Sequence, residues 1–400
     1  MTIKQKKHIY VLLRNKIVGT DNVLPLCMQL HNECGFTFTF MLFDYDSFKA
    51  IKDDNVVLSD AINTIGRLVF VGSNKHGVIS KTAPIFFLIK MIFNINFNKN
   101  YVMHPGGMYV KPLKYILNFL PSKGIIFHET SPYGRRQPYN GTESAFEFFN
   151  LRQTQDEYED SKIGEPAFLK AEVLIGYNKL WNFFKHPYAV NAHKIVLDNP
   201  RNTSAWIDFI QKKSFDYVSE ELYRNLPYKK DKPIITIFTG RLHLDKTPGK
   251  KFVESFIQMI NAISKSTKNK CAIFIKPHVL SDIEFLKKCI SEGCGEHKME
   301  YILTKLHPSV LSSRSSMAFF SNNSTVINEV SNLNIPVIQC LYGFDGDKDI
   351  EVQISKKSDY VLTKKSENLK TIIDNLITAD SSPAVYKKYS NLIDCSFVRT

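Results

Sequence analysis

The sequence predicts an α/β protein made of two parallel-sheet units, and three observations predict it. Short apolar runs of strand length recur along the chain, each closing in a polar or glycine-containing loop and separated from the next by helical pattern. The pattern restarts after a Pro/Lys-rich link, Leu226 to Pro233. The length of 400 residues exceeds what one hydrophobic core organises, so two domains of about 200 residues are expected.

In the first half, His8 to Leu13 is the first strand. A helix through Leu24, Leu26, Cys27 and Leu30 follows, then a strand at Phe36 to Phe43, a helix around Ser59 to Ile65 and a strand at Leu68 to Gly72. Tyr101-Val102-Met103 runs into His104-Pro105-Gly106-Gly107, and Ile125-Ile126-Phe127 runs into His128-Glu129-Thr130. Ala171 to Ile175 ends at Gly176. In the second half, the strand Ile234 to Phe238 ends in Thr239-Gly240-Arg241, and a helix covers Phe252 to Ile263. Ala272 to Ile275 ends in Lys276-Pro277-His278, Met317 to Phe320 ends in a Ser/Asn cluster, and Ile335 to Ile338 and Tyr360 to Thr363 complete the sheet. The expected boundaries are 1–228 and 229–380, with a tail, 381–400, returning to the first domain.

Composition narrows the partners. The 52 basic and 39 acidic residues give a net charge of +13, which selects anionic partners. The lysines are scattered and no RRM, zinc-finger or helix-turn-helix signature occurs, so nucleic acid is not expected. Seven cysteines, an odd number without a CxxC pair, point to a reducing compartment and away from structural zinc. The apolar run Ile9 to Leu13 is cut off at Arg14, well short of a secretion-signal core. A cytoplasmic protein is expected, with the inner membrane face as an alternative site.

The membrane alternative rests on Ala83 to Phe97. Its apolar core, broken by Lys90, is too short to cross a bilayer. It reads as a buried helix, or as an interfacial one in peripheral contact with an anionic membrane, flanked by Lys81, Lys90, Lys99, Lys111 and Lys114.

The segment Met317 to Gln339 carries the strongest chemical signal. Strand, hydroxyl-rich turn, helix and strand form a βαβ unit, and Ser321-Asn322-Asn323-Ser324-Thr325 places N-cap side chains where a helix should begin, near Ser324. Free N–H groups, the positive end of the helix dipole and hydroxyls then meet at one point, which suits phosphate.

The run Ser321 to Glu329, followed by Asn334-Ile-Pro-Val-Ile338, resembles the serine-rich phosphate motif of bacterial glycosyltransferases of the GT-B fold. It is most similar to capsule and lipopolysaccharide enzymes that use CMP-activated acidic sugars, such as Kdo transferases and polysialyltransferases. Lys276-Pro277-His278 stands where those families carry a basic-Pro-His motif. The resemblance implies two Rossmann-like domains facing across a cleft, with strand-end loops converging on it. It further implies metal-independent transfer of a sugar, Kdo or a related acidic sugar, from a CMP-linked donor to a glycan or lipid-linked glycan acceptor, with no cofactor. A CDP- or UDP-dependent glycerol-phosphate or sugar transferase is the alternative, to which Leu306-His307-Pro308 lends support, and a nonenzymatic nucleotide- or glycan-binding subunit is the third.

Roles follow from chemistry and resemblance together. Ser321, Asn323, Ser324 and Thr325 are candidates to donate to phosphate, and Lys276 and His278 to neutralise it. Gly240 and Arg241 are the resemblance's candidates for a diphosphate. Sialyltransferases and their relatives place an acidic pair and glycine at the end of an N-domain strand, where this chain has His128-Glu129-Thr130. Glu129 is the candidate base or nucleophile and His128 the alternative base. Arg135 and Arg136 suit a carboxylate or phosphate by bidentate contact, and His104 should line the same cleft. Asp44-Tyr45-Asp46 and Asp345 to Asp349 are discounted as metal motifs, the second because Ile350 and Lys356 replace the glycine and glutamate a calcium loop needs.

Overall fold

The computed structural model describes residues 7–13, 17–72, 79–105, 120, 123–128, 171–176, 191–197, 200–240, 242, 249–267, 270–278, 281–321, 324, 326–330, 335–340, 360–363 and 369–374. The chain divides into two compact units, Met1–Trp206 with Tyr389–Thr400, and Ile207–Lys388. The tail assigned from sequence to 381–400 lies outside the described residues.

Unit 1 is built on β1 (His8–Leu13), β2 (Thr37–Leu42), β3 (Gly66–Phe70), β4 (Tyr101–Pro105), β5 (Ile125–His128), β6 (Val173–Gly176) and β7 (His193–Val196). The sheet order is β3-β2-β1-β4-β5-β6-β7 and every pairing is parallel. Four helices accompany the first strands: α1 (Ile17–Cys34), α2 (Tyr45–Lys49), α3 (Val56–Ile65) and α4 (Ile79–Phe97). Strands β1, β2, β5 and β6 are buried along almost their whole length, which is why they read as unbroken apolar runs rather than as alternating ones.

A long helix, α5 (Ser204–Asn225), contains the boundary between the units. In unit 2, β8 (Ile234–Phe238), β9 (Ala272–Lys276), β10 (Tyr301–Leu303), β11 (Met317–Phe320), β12 (Val337–Cys340) and β13 (Tyr360–Thr363) form an all-parallel sheet of order β10-β9-β8-β11-β12-β13. Its helices include α6 (Gly249–Thr267), α7 (Ile283–Cys294), α8 (Pro308–Ser312) and α9 (Val326–Val330). The apolar stripe of α6, with Phe256, Met259, Ile260 and Ile263, packs on Ile235, Ile237, Ile273 and Phe319 in one cluster. Helix α7 approaches α6 closely at Gly293, where an added Cβ would stand 2.8 Å from the Ile257 carbonyl and from the Ile260 Cβ.

Several sequence boundaries move for physical reasons. The strand expected from Ile335 begins at Val337, because Pro336 has no N–H for the ladder and contributes only its carbonyl, which accepts from the Ala318 N–H at 3.0 Å. Cys34 is disulfide-bonded, whereas Cys27, Cys271, Cys289, Cys294 and Cys340 are free and buried. Among the described residues no helix is long and apolar enough to cross a membrane.

Candidate functional site

Both sheets reverse their strand order beside their first strand, between β1 and β4 in unit 1 and between β8 and β11 in unit 2. In doubly wound sheets a crevice opens at the carboxyl ends of the strands that flank such a reversal. In unit 2 these ends are Thr239-Gly240 after β8 and Ser321 after β11, with Lys276-Pro277-His278 after β9 on the other side of β8.

The three ends are laced together. Register places Phe238 opposite both Lys276 and Phe320, so β9 and β11 stand two strand spacings, about 10 Å, apart. The Thr239 N–H donates to the Lys276 carbonyl at 3.3 Å, and the Ser321 hydroxyl donates to the Thr239 carbonyl at 3.3 Å. The Gly240 carbonyl accepts from the Thr239 hydroxyl at 2.9 Å and from the Ser281 hydroxyl at 3.4 Å. The Ser281 N–H in turn closes a turn on the His278 carbonyl at 2.9 Å. Gly240 has φ of 58°, a left-handed conformation that side chains disfavour, so glycine is what lets the chain leave β8 here. One residue earlier on each strand, the Phe238 and Phe320 rings stack 4.8 Å apart.

This arrangement brings four of the sequence candidates, Gly240, Lys276, His278 and Ser321, to one sheet edge, with Ser324 at the start of α9 three residues on. His278 is exposed, Lys276 and Ser324 are half-buried, and Ser321 is fully buried with its proton committed to Thr239. Ser324 Oγ accepts the Val326 N–H at 3.3 Å, as an N-cap does, which leaves its own proton to donate elsewhere. Arg241, Asn323 and Thr325 lie outside the described residues.

Sequence reasoning missed Thr239 and Ser281, the hydroxyls that position this edge, and Glu221. Burial pushes the Glu221 carboxyl above the usual carboxylate range. The Thr304 hydroxyl, which donates to it at 2.8 Å, and the nearby Arg224 and Lys276 charges pull it back. Part of the Lys276 charge is thus answered within the protein. The only local signal for this group was Glu221 on a helix otherwise too polar to place.

In unit 1, Pro105 pairs in register with His128 and His104 with Phe127. Both imidazoles are buried at the carboxyl ends of adjacent strands, and the His104 and Phe127 rings lie 5.5 Å apart. Glu129, Arg135 and Arg136 lie outside the described residues.

One discounted motif, and the His-Pro pair that had supported the alternative transferase, acquire structural explanations. Asp44 caps α2, its carboxylate accepting the Ser47 N–H at 2.8 Å. His307 does not stand open to a ligand: it is buried and caps α8, Nδ1 accepting the Ser309 N–H at 3.2 Å. Asp345 to Asp349 lie outside the described residues. Among the described residues no group of three His, Cys, Asp or Glu side chains could hold a metal ion.

Two all-parallel sheets, each reversing beside its first strand, define a protein of two Rossmann-like units with the GT-B fold. The solved structures it is similar to include the UDP-GlcNAc 2-epimerase of Methanocaldococcus jannaschii, at TM-score 0.54 and 12% identity over 96% of this chain and 95% of that one. The UDP-GlcNAc 2-epimerase of Neisseria meningitidis, bound to UDP-GlcNAc, is similar at TM-score 0.51 and 10% identity over 94% of this chain and 95% of that one. No protein-family model and no curated protein sequence matches the chain.

Proposed function

We propose that this protein is an enzyme acting on a nucleotide sugar, and that it binds the nucleotide phosphate at the carboxyl edge of the unit 2 sheet. The observation that carries the reading is the laced edge itself, where Gly240, His278 and Ser321 meet at the strand-order reversal, with Ser324 three positions on. Half-buried Lys276 supplies positive charge, the exposed His278 ring and the Ser324 hydroxyl supply donors, and Gly240 a backbone that phosphate can approach closely. Arg241, Asn323 and Thr325 extend the same set. Ser321 holds the turn rather than touching the phosphate.

The reaction we assign is glycosyl transfer to a glycan or lipid-linked acceptor. A departing nucleotide carries charge that needs fixed donors and cations, and this edge concentrates them. Glu129 is the proposed base or nucleophile at the sugar, with His128 as alternative, and His104, Arg135 and Arg136 are assigned to the substrate. A UDP-linked donor ranks first, because the fold neighbours are named for UDP-GlcNAc. A CMP-linked acidic sugar such as Kdo is the reading that the serine-rich turn favours. Titration calorimetry with UDP, CMP, CDP and GDP decides between them: preferential UDP binding supports the first, preferential CMP binding the second, and no binding of any removes the proposal.

Epimerisation without transfer is the second reading, favoured by the names of the same two neighbours. Proton NMR of UDP-GlcNAc with the protein alone separates the two. A new isomeric sugar signal without an acceptor supports the epimerase, whereas acceptor-dependent release of UDP supports the transferase.

A further inference from the structure

Helix α4 has two opposed apolar faces, and among the described residues only one of them is covered. Its inner face is fixed in unit 1: Met91 and Ile95 are fully buried, the Asn94 amide donates to the Tyr10 hydroxyl at 2.7 Å, and the Phe87 ring meets Tyr10 edge-on at 6.3 Å. The outer face carries Phe86 at 72%, Ile89 at 56%, Phe93 at 55% and Phe97 at 70% exposure. At helical spacing these four fall within an arc of about 80°, one continuous stripe along three turns. The Phe93 and Phe97 rings are in contact, their centroids 4.5 Å apart and their planes tilted by 34°, so the stripe carries an aromatic pair at its C-terminal end.

Large exposed apolar side chains in a contiguous stripe mark a surface made to be covered. Charge identifies the cover. The sequence has no Asp or Glu between Asp60 and Glu129, yet has seven lysines and Arg67 in that interval. Lys90 is exposed beside the stripe, and Lys99 is exposed just beyond the helix end. A second copy of this chain would bring the same acid-free, lysine-bearing surface and a net charge of +13 against its like. An anionic lipid surface supplies both apolar depth for the phenyl rings and negative headgroups for the lysines.

We propose that the outer face of α4 docks this protein on an anionic bilayer surface, with Phe86, Ile89, Phe93 and Phe97 inserted at the headgroup level and Lys90 paired with lipid charge. The helix lies in the interface plane and does not cross. The proposal is independent of the nucleotide reading, because docking is measured without nucleotide.

Co-sedimentation with vesicles tests it, comparing pure phosphatidylcholine with an equal mixture of phosphatidylcholine and phosphatidylglycerol. The expected result is binding to the mixed vesicles alone, weakened by salt, and weakened roughly tenfold or more in the Phe93→Ser/Phe97→Ser double variant. Lys90→Glu should weaken it as well, and it keeps the test open should the double variant fold poorly. Absence of binding to the mixed vesicles overturns the proposal, as does binding that neither variant weakens. A wild-type dimer in sizing chromatography that the double variant disperses overturns it in favour of self-association.

Discussion

The Ser321 hydroxyl donates to the Thr239 carbonyl across 3.3 Å and 82 positions of sequence, joining the two strand ends at which the unit 2 sheet reverses order. Both residues are fully buried, so water cannot replace the bond. Replacing Ser321 by alanine should leave the Thr239 carbonyl one donor short and cost about 1 kcal/mol of unit 2 stability. Urea unfolding followed by near-UV circular dichroism measures the loss, and calorimetry on the same variant should show weaker nucleotide binding because the turn is no longer held.

His278 behaves differently because it is exposed. His278→Ala should alter stability by less than about 0.5 kcal/mol while lowering nucleotide affinity by roughly tenfold, the scale of one lost charge-assisted hydrogen bond. Equal affinity in the variant and the wild type would remove His278 from the site.

A pH effect is expected in unit 1. His8 sits between the Thr37 and Thr39 hydroxyls, 2.8 and 2.9 Å from its two ring nitrogens, and burial followed by the Arg67 charge lowers its pKa to about 4. The unfolded chain binds this proton near pH 6.5, whereas the folded chain stays neutral down to about 4. Stability contributed by neutral His8 is therefore complete above pH 6.5 and falls as the pH drops toward 4. His8→Gln, which does not titrate, should flatten the dependence of the unfolding midpoint on pH across that window.

Gly293 tests the packing of α6 on α7. An added methyl would press on the Ile257 carbonyl and the Ile260 side chain, and the Asn261 amide, which donates to the Gly293 carbonyl at 3.0 Å, resists a shift of either helix. Gly293→Ala should cost about 1–3 kcal/mol despite its gain in helix propensity, read from denaturant midpoints.

Much of this fold could be read from the sequence because its central strands are buried on both faces and so appear as solid apolar runs, as in IYVLL and AIFI. What escaped is polar or short. Strand β7, His193–Val196, exposes three of its four residues, and β10 has only Tyr301–Leu303 at a sheet edge. Helix α5 alternates charge and apolar residues without a clean stripe. At the candidate site the turn at Ser321 was legible, since its hydroxyls follow an apolar run, but its partner was not: no local pattern pairs a serine with a carbonyl 82 positions away. His307 shows the converse failure, because a His-Pro pair looks the same in sequence whether it meets a phosphate or caps a helix. In α4 the composition announced an apolar helix, and only the coordinates separated the side that is covered from the side that is not.

The span between Thr239 and Ser321 also dictates an order of assembly. Parallel pairing of β8 with β11 must wait until everything between them, among the described residues two further strands and three helices, has been made. A chain emerging from the ribosome can therefore build β8 early, but the edge proposed for the nucleotide is incomplete until residue 321 has come out, so on that proposal ligand added during refolding should leave the early phases untouched and slow only the reopening of the finished edge.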